Sequence, residues 1–158
     1  MAAEEDVVTS FYEAFARKDA RAMGALYHDE ARFSDPVFPD LDAPHVRGMW
    51  RMLCGIPGSN LVVTFRDVSA GPGGVTAHWD ADYVFTTTGR KVQNSVDARL
   101  EVRDGRIVRH EDRFDLWRWT RMALGPPGLL LGWSPLVTAP LRSRAAAQLE
   151  RFLASERP

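Results

Sequence analysis

The sequence has 158 residues, of which 45% are hydrophobic and 26% charged, a balance typical of one folded domain rather than of a disordered or fibrous chain. Lysine and arginine number 20 against 21 aspartates and glutamates, and this net charge of -1 argues against nucleic acid as a partner. The single cysteine, Cys54, excludes an intrachain disulfide and a cysteine-cluster metal site, and no signal-peptide pattern opens the chain. These features predict a cytoplasmic protein without a metal site.

Helices and a short strand are predicted in the first third of the chain. Hydrophobic residues recur at helical spacing over about residues 4–17, and Asp19 is placed to cap a second, shorter helix. A short strand over 31–33 precedes Asp35, which the following proline restricts to an extended conformation. The hydrophobic spacing of residues 46–53 then predicts a third helix.

The middle of the chain reads as strands joined by tight turns. Four strand-like runs cover residues 61–69, 75–86, 91–103 and 106–115. Asp104-Gly105 between the last two is a strong hairpin signal. Helices followed by an antiparallel meander predict an α+β domain, with the helices across one face of a curved sheet and room for a cavity between the layers.

The C-terminal part, residues 116–158, is predicted to be an addition to a core of about residues 4–115, within one domain spanning 1–158. Its hydrophobic stretch, residues 129–141, contains glycine and prolines and is too short to cross a bilayer, so we predict a loop leading to a final helix and no transmembrane segment. Each large aliphatic side chain gains about 1.5–3 kcal/mol from burial. We therefore expect the stretch to cover the mouth of the cavity or a homodimer contact, with peripheral membrane contact as a further alternative.

Several segments resemble the ketosteroid-isomerase-like, or nuclear transport factor 2-like, superfamily. The likeness runs over about residues 7–115 and is carried by FYEAFARKD at 11–19, FSDPV at 33–37, and GRK at 89–91 followed by a strand bearing Asp97. The resemblance implies a cone-shaped fold with helices on a strongly curved, mainly antiparallel sheet. It also implies a hydrophobic small-molecule pocket, no cofactor and a homodimer.

Matched in order, the resemblance assigns roles to two aspartates. Asp35 corresponds to the general base of ketosteroid isomerases, and Asp97 corresponds to their protonated aspartate, which donates a hydrogen bond to the developing oxyanion. Phe11 occupies the place of the oxyanion-binding tyrosine, and Tyr12 is the next residue. The missing donor would then be one of four other side chains: Tyr27, Tyr83, Trp79 or Asn94.

A second catalytic interpretation uses the last two strands. Asp97 and Arg99 alternate as in limonene-epoxide-hydrolase-like relatives, which activate water with an arginine and two aspartates, and Asp112 would be the second carboxylate. His110 lies on the same strand face as Asp112. Polyketide-cyclase relatives place an acid-base aspartate near the end of this strand, where either Asp112 or Asp115 would correspond.

The hypothesis that unites these observations is a cofactor-independent acid-base enzyme that isomerises, cyclises or hydrates a hydrophobic small molecule. The alternatives are a non-catalytic ligand-binding or accessory protein, and an interaction domain. In structural terms, Asp35 would be a turn residue and Asp97 half of a surface ion pair. The predicted ligand-binding residues are Phe11, Tyr12, Phe33, Trp50, Tyr83, Asn94 and Trp117.

Overall fold

A computed structural model describes residues 2–157 and contains, in that range, six helices and six strands. The predicted domain limits, residues 1 and 158, lie outside the described residues. The helices are α1 (Ala2–Ala16), α2 (Ala20–Ala25), α3 (Ala43–Cys54), α4 (Leu116–Leu124), α5 (Pro126–Leu131) and α6 (Pro135–Ser155). The strands are β1 (Tyr27–Ser34), β2 (Leu41–Asp42), β3 (Val62–Gly71), β4 (Gly74–Phe85), β5 (Arg90–Arg103) and β6 (Arg106–Arg113).

The strands form one sheet in the order β2-β1-β6-β5-β4-β3. β1 runs parallel to β6, and all other neighbours in this sheet are antiparallel. The β5–β6 hairpin turns at Asp104 and Gly105, whose φ angles of 53° and 76° are those of a type I′ turn. The predicted α+β class and the mainly antiparallel sheet are thereby confirmed.

The hydrophobic core lies between the inner face of the sheet and the helices α1 and α3. Burial alternates along β5, so that every second side chain points toward the core. Phe11 from α1 is fully buried, and its ring centre lies 5.5 Å from those of Tyr27 and His110 in edge-to-face contacts. The short α2, which Asp19 caps through the backbone N–H of Ala22, connects α1 to β1.

The region after β6 differs from the prediction. The last strand ends at Arg113 instead of Asp115, because the Asp115 side chain accepts a hydrogen bond from the backbone N–H of Arg118 and caps α4. The loop predicted for the hydrophobic stretch is also wrong, since α5 and the start of α6 occupy it. No helix within residues 2–157 combines the length and the hydrophobicity needed to cross a bilayer.

The last helix is fixed to the body of the domain by polar contacts. Arg51 of α3 donates two hydrogen bonds to the carboxylate of Glu156, with lengths of 3.0 and 2.8 Å. The Arg142 guanidinium donates to the carbonyl oxygen of Pro36 at 2.8 Å. These contacts hold α6 across α3 and close to the segment that follows β1.

Candidate acid-base site in a hydrophobic cavity

A cavity of about 590 Å³ lies between α3, α6 and the inner face of the sheet. Its volume is in the range of small-molecule sites, and its wall is largely hydrophobic. The first half of α6 lines one side through Leu136, Val137, Pro140 and Leu141, whereas Leu129, Leu130 and Leu131 of the predicted covering stretch are exposed. Polar side chains also reach the wall, among them Asp35, Tyr83, Asn94 and Asp112.

Asp35 lies directly after β1, at the wall of the cavity. Its Oδ1 atom accepts hydrogen bonds from the backbone N–H groups of Val37 and Phe38, at 2.7 and 2.6 Å. Burial nevertheless raises the pKa of the Asp35 carboxyl from 3.8 to about 7, and the nearby charge of Asp112 adds to that increase. A carboxyl with this pKa can accept or release a proton near neutral pH.

Asp112 ends a chain of buried hydrogen bonds through the core. The Trp50 indole N–H donates to the Tyr27 hydroxyl at 2.9 Å. The hydroxyl lies 2.8 Å from Nδ1 of His110, and Nε2 of His110 lies 2.9 Å from Oδ1 of Asp112. Because burial raises the pKa of the Tyr27 hydroxyl well above its ordinary value, Tyr27 donates to Nδ1, which leaves the Nε2 proton to donate to Asp112.

This chain satisfies every buried polar atom that it joins with a donor or an acceptor, using one neutral tautomer of His110. It therefore holds the Asp112 side chain in place on the inner face of β6. Trp79 contributes a longer contact, with its indole nitrogen 3.5 Å from Oδ1.

Tyr83 supplies a hydrogen-bond donor to the same cavity. Its hydroxyl oxygen accepts a 2.6 Å hydrogen bond from the indole N–H of Trp119. Within residues 2–157 its own proton has no protein acceptor, and the side chain lines the cavity. Burial raises the pKa of Tyr83 to about 12, and the charge of Asp35 adds to the increase. Tyr83 thus stays protonated and can donate to a bound ligand.

Asp97 and Arg99 lie outside the cavity, so the prediction that Asp97 is a buried acid within the pocket is wrong. The side chain of Asp97 is 84% exposed, and its Oδ1 atom lies 2.9 Å from Nδ1 of His78. The reason is the strand period: Ala98 pairs with Asp112 on the inner face, so its neighbours Asp97 and Arg99 point to the outer face. Asp97 and Arg99 therefore do not form, with Asp112, the predicted water-activating group inside the cavity.

The predicted ligand-binding residues divide into three groups. Trp50, Tyr83 and Asn94 line the cavity. Phe11, Tyr12 and Phe33 are fully buried in the core beside it, where they support the wall but do not form it. The prediction that Trp117 lines the cavity is wrong, because this side chain is 40% exposed and stacks against the guanidinium of Arg121.

Trp119, two residues further along α4, takes the place predicted for Trp117. Two residues of an α-helix differ in direction by about 200°, so the two indoles point to opposite sides. The sequence could have distinguished Trp119 from Trp117 only if the segment had been predicted as a helix. The signal for that helix is Asp115, which caps its start by accepting a hydrogen bond from the backbone N–H of Arg118. Tyr27 carried no local signal for its contact with His110, because 83 residues separate them.

Metal-ligand side chains are not gathered at this site. Within residues 2–157, no group of three His, Cys, Asp or Glu side chains is close enough together to hold a metal ion. The polar side chains that line the cavity, among them Asp35, Asp112, Tyr83 and Asn94, can transfer protons or form hydrogen bonds.

Comparison with known proteins gives a family match and similar structures. Residues 8–110 match the sequence profile of the SnoaL-like domain. Comparison with curated protein sequences finds no significant match. An LEH-like epoxide hydrolase of M. tuberculosis has 21% identity and a TM-score of 0.64, with 88% of this chain and 98% of that chain covered.

Two further structures share the fold. A protein proposed to be a polyketide cyclase, from Xanthomonas campestris, has 22% identity and a TM-score of 0.64 over 77% of this chain and 96% of that chain. A protein with a ketosteroid isomerase-like fold from Catenulispora acidiphila, in complex with trimethylamine, has 16% identity and a TM-score of 0.65 over 76% and 93%. The cone-shaped, nuclear transport factor 2-like fold is thereby confirmed, and at these identities the likeness shows the fold alone.

Proposed function

Because this chain belongs to the SnoaL-like domain family, within the nuclear transport factor 2-like superfamily, we propose that it is an acid-base enzyme acting on a hydrophobic small molecule in the cavity beneath α6. The observation that carries the proposal is the position of the Asp35 carboxyl at the wall of a largely hydrophobic cavity, where burial raises its pKa to about 7. Proton transfer of this kind needs no cofactor. The proposed reactions are isomerisation, cyclisation or hydration.

The proposed step begins with proton abstraction next to a carbonyl group of the substrate. The carboxylate of Asp35 takes the proton, and the C–H bond electrons pass into the carbonyl, which becomes an enolate. Tyr83 donates its hydrogen bond to the enolate oxygen, as an oxyanion donor does. Protonated Asp35 then returns the proton at another carbon, which gives the isomer. Alternatively, the enolate carbon attacks a carbonyl carbon of the same molecule, the electrons of that C=O bond pass to its oxygen, and the oxygen takes the proton from Asp35, which gives the cyclised alcohol.

Asp112 acts on this step through its charge. Burial is the main cause of the raised pKa of Asp35, and the charge of Asp112, which His110 holds in place, adds to that increase. Asn94, on the same inner face of β5, adds an amide that can orient the ligand.

The test follows proton abstraction directly, before a natural substrate is identified. Hydrophobic cyclic ketones, including steroid enones, are incubated in deuterium oxide, and exchange of the carbon-bound protons next to the carbonyl is followed by proton NMR. We expect exchange with the wild-type protein and a loss of at least about 100-fold in Asp35→Asn. Asp97→Asn, on the outer face of the sheet, is the matched control and is expected to stay within about twofold. Equal exchange by the wild type and Asp35→Asn would contradict the proposal.

The alternative of a non-catalytic binding protein is favoured by one observation, the phenylalanine at position 11. Phe11 is packed in the core and offers no hydrogen-bond donor in the place of the oxyanion-binding tyrosine of ketosteroid isomerases. This alternative predicts that a hydrophobic ketone quenches the fluorescence of Trp50 or Trp119 on binding but shows no exchange above the buffer rate. The water-activation alternative has Arg144 rather than Arg99 at the cavity wall.

We also propose a homodimer through the outer face of the sheet, as the resemblance implies. Support comes from a shallow concavity on this face that carries both signs of charge, since it is lined by Arg66, Asp97, Arg99, Glu111 and Arg113. Light scattering coupled to size exclusion gives the test: a mass of one chain at all concentrations would contradict it. The cytoplasmic location stays a prediction.

A further inference from the structure

The short helix α5 packs in the reverse of the usual sense, with its small residues buried and its large ones exposed. Gly128 and Gly132 are buried against α4, and a Cβ atom on either one would overlap atoms of Thr120. This close approach of the backbones leaves no room for side chains on that face. The leucines of α5 are therefore directed outward, and Leu130 is 69% exposed.

The exposed side chains form one hydrophobic surface, which we call the apolar edge: Leu129, Leu130, Leu131, Trp133 and Leu136. Trp133 is 68% exposed and Leu136 74% exposed. Leu136 also lines the cavity, so the apolar edge continues into the cavity mouth. Large exposed hydrophobic surfaces of this kind mark contacts with another molecule or with a membrane.

Next to the apolar edge lies a basic cluster made of Arg90, Lys91, Arg118 and Arg121. These residues line a broad concavity of about 690 Å³, to which no acidic side chain of residues 2–157 contributes. Within the same range, none of the four makes an ion pair. The positive charge is thus available to an anion from outside.

Trp117 joins the two features. The guanidinium carbon of Arg121 lies 4.4 Å from the centre of the Trp117 ring, and the indole N–H donates to the carbonyl oxygen of Leu129 at 3.3 Å. Arg90 is fixed against the same helix, since its Nε donates to the carbonyl oxygen of Met122 at 2.8 Å. Tryptophan, leucine and arginine side by side are the composition of surfaces that bind in the interface of a bilayer.

Charge is also divided unevenly along the chain. Residues 116–158 contain six arginines, no lysine, and two acidic residues, a net charge of +4, whereas residues 1–115 contain 14 basic and 19 acidic residues, a net charge of -5. The positive charge of the C-terminal part therefore favours its contact with a negatively charged surface. The negative charge of the rest of the chain disfavours such contact.

We propose that the apolar edge and the basic cluster together dock the protein on a membrane that contains anionic phospholipids. The leucines and Trp133 enter the interface between headgroups and acyl chains, and the four basic side chains contact lipid phosphates. Since Leu136 belongs both to the apolar edge and to the cavity wall, docking places the cavity mouth against the bilayer. A hydrophobic ligand can then enter the cavity from the bilayer. Docking does not depend on the proposed catalysis.

A second copy of the chain fits this surface less well. A symmetric dimer through this surface would bring the basic cluster of one copy toward the same cluster of its partner, so that like charges would face each other. An anionic bilayer meets both features at once, with phosphates for the arginines and acyl chains for the leucines.

The test is sedimentation of the full chain with sucrose-loaded vesicles of phosphatidylcholine alone, or of phosphatidylcholine with 30% phosphatidylglycerol. We expect binding at least tenfold stronger to the anionic vesicles, and a decrease as salt is raised. Arg118→Gln with Arg121→Gln should weaken binding roughly 30-fold. The matched control, Arg103→Gln with Arg106→Gln, removes the same charge from the exposed end of the β5–β6 hairpin and should leave binding unchanged.

The apolar edge is tested separately with Leu130→Ser and Trp133→Ser, which replace exposed side chains and should leave the thermal unfolding midpoint unchanged while weakening vesicle binding at least tenfold. Absence of sedimentation with anionic vesicles would overturn the proposal, and so would equal losses in the cluster variant and its hairpin control. A dimer in light scattering that these two serine substitutions abolish, without vesicle binding by the wild type, would assign the surface to a second copy instead.

Discussion

The two faces of the central strands carry the same pair of residues in different surroundings. On the inner face, Nε2 of His110 lies 2.9 Å from Oδ1 of Asp112, and the two side chains are 0% and 2% exposed. On the outer face, Nδ1 of His78 lies 2.9 Å from Oδ1 of Asp97, and the side chains are 18% and 84% exposed. Equal distances thus join pairs whose energetics differ, because water screens only the outer pair.

The same contrast applies to single carboxyls. Asp80, on the outer side, accepts a hydrogen bond from the Ser95 hydroxyl, which lowers its pKa, and His78 and Arg66 act in the same direction. Asp35 also accepts two hydrogen bonds, yet burial outweighs them and raises its pKa to about 7. Burial against hydrophobic walls, rather than the number of polar contacts, separates the carboxyl suited to proton transfer from the structural one.

The largest expected effect is that of removing the inner histidine. His110→Ala leaves the Tyr27 hydroxyl and the Asp112 carboxylate without their buried partner and opens a cavity in the core. We expect a loss of about 3–5 kcal/mol in the free energy of unfolding, measured by urea denaturation at pH 7. His78→Ala is the outer-face control and should cost less than about 1 kcal/mol. Similar losses in both variants would contradict the difference between the faces.

The next effect concerns the inner donor, and it rests on the proposed function. Tyr83→Phe removes the hydroxyl that faces the cavity but keeps the ring. If that hydroxyl stabilises an oxyanion, ketone proton exchange should fall by about 100-fold, which corresponds to about 2.7 kcal/mol. The melting temperature is measured alongside, so that a lost hydrogen bond from Trp119 is recognised. If the exchange rate is unchanged in Tyr83→Phe, the Tyr83 hydroxyl does not stabilise the oxyanion, and its proposed role is contradicted.

The pH dependence of stability distinguishes the buried carboxyl of Asp35 from the carboxyls on the outer face of the sheet. Unfolded Asp35 loses its proton near pH 3.8 and folded Asp35 near pH 7. Between these values the folded state keeps a proton that the unfolded state has lost, so the contribution of Asp35 to stability falls as pH rises through this window. The displacement corresponds to at most about 4 kcal/mol, and access of water through the cavity reduces it, to about 2 kcal/mol.

Asp35→Asn removes that dependence, since the amide does not titrate and its oxygen can still accept from the backbone of Val37 and Phe38. We expect the variant to be more stable than the wild type by about 2 kcal/mol above pH 7 and by nearly nothing at pH 3. Thermal unfolding from pH 3 to pH 8 measures the difference. A gain that is constant over pH would show that burial does not raise the pKa of Asp35.

Much of the fold could be predicted from the sequence because its signals are local. Asp19 caps α2, Asp104-Gly105 forms the predicted turn, and the strand period of β5 puts Ala98 and Asp97 on opposite faces. The candidate site was harder to predict, because which face is the inner one depends on strand pairing distant in sequence. The alternation of β5 already separated Asp97 from its hydrophobic neighbours, but its match to a family position outweighed that pattern and gave the wrong site.

The prediction of a loop in the C-terminal part was wrong for another physical reason. Its glycines and prolines indicated a loop, yet Gly128 and Gly132 are present because α5 and α4 approach closely, not because the chain turns there. Pro126 and Pro135 are at the first positions of α5 and α6, where the missing N–H has no helical partner in any case. The same residue types break a helix or begin one, and only the tertiary contact decides which.

The smallest expected effect belongs to the outer pair. Asp97→Asn removes the charge next to His78 at a site that is 84% exposed, so we expect a change below about 0.5 kcal/mol in the free energy of unfolding from pH 5 to pH 8. Urea denaturation at several protein concentrations measures it. The proposed homodimer would cover this face. A loss of unfolding free energy that appears only at high protein concentration would therefore show that a second copy shields the His78–Asp97 pair from water. The outer pair would then be strengthened by burial, as the inner pair is.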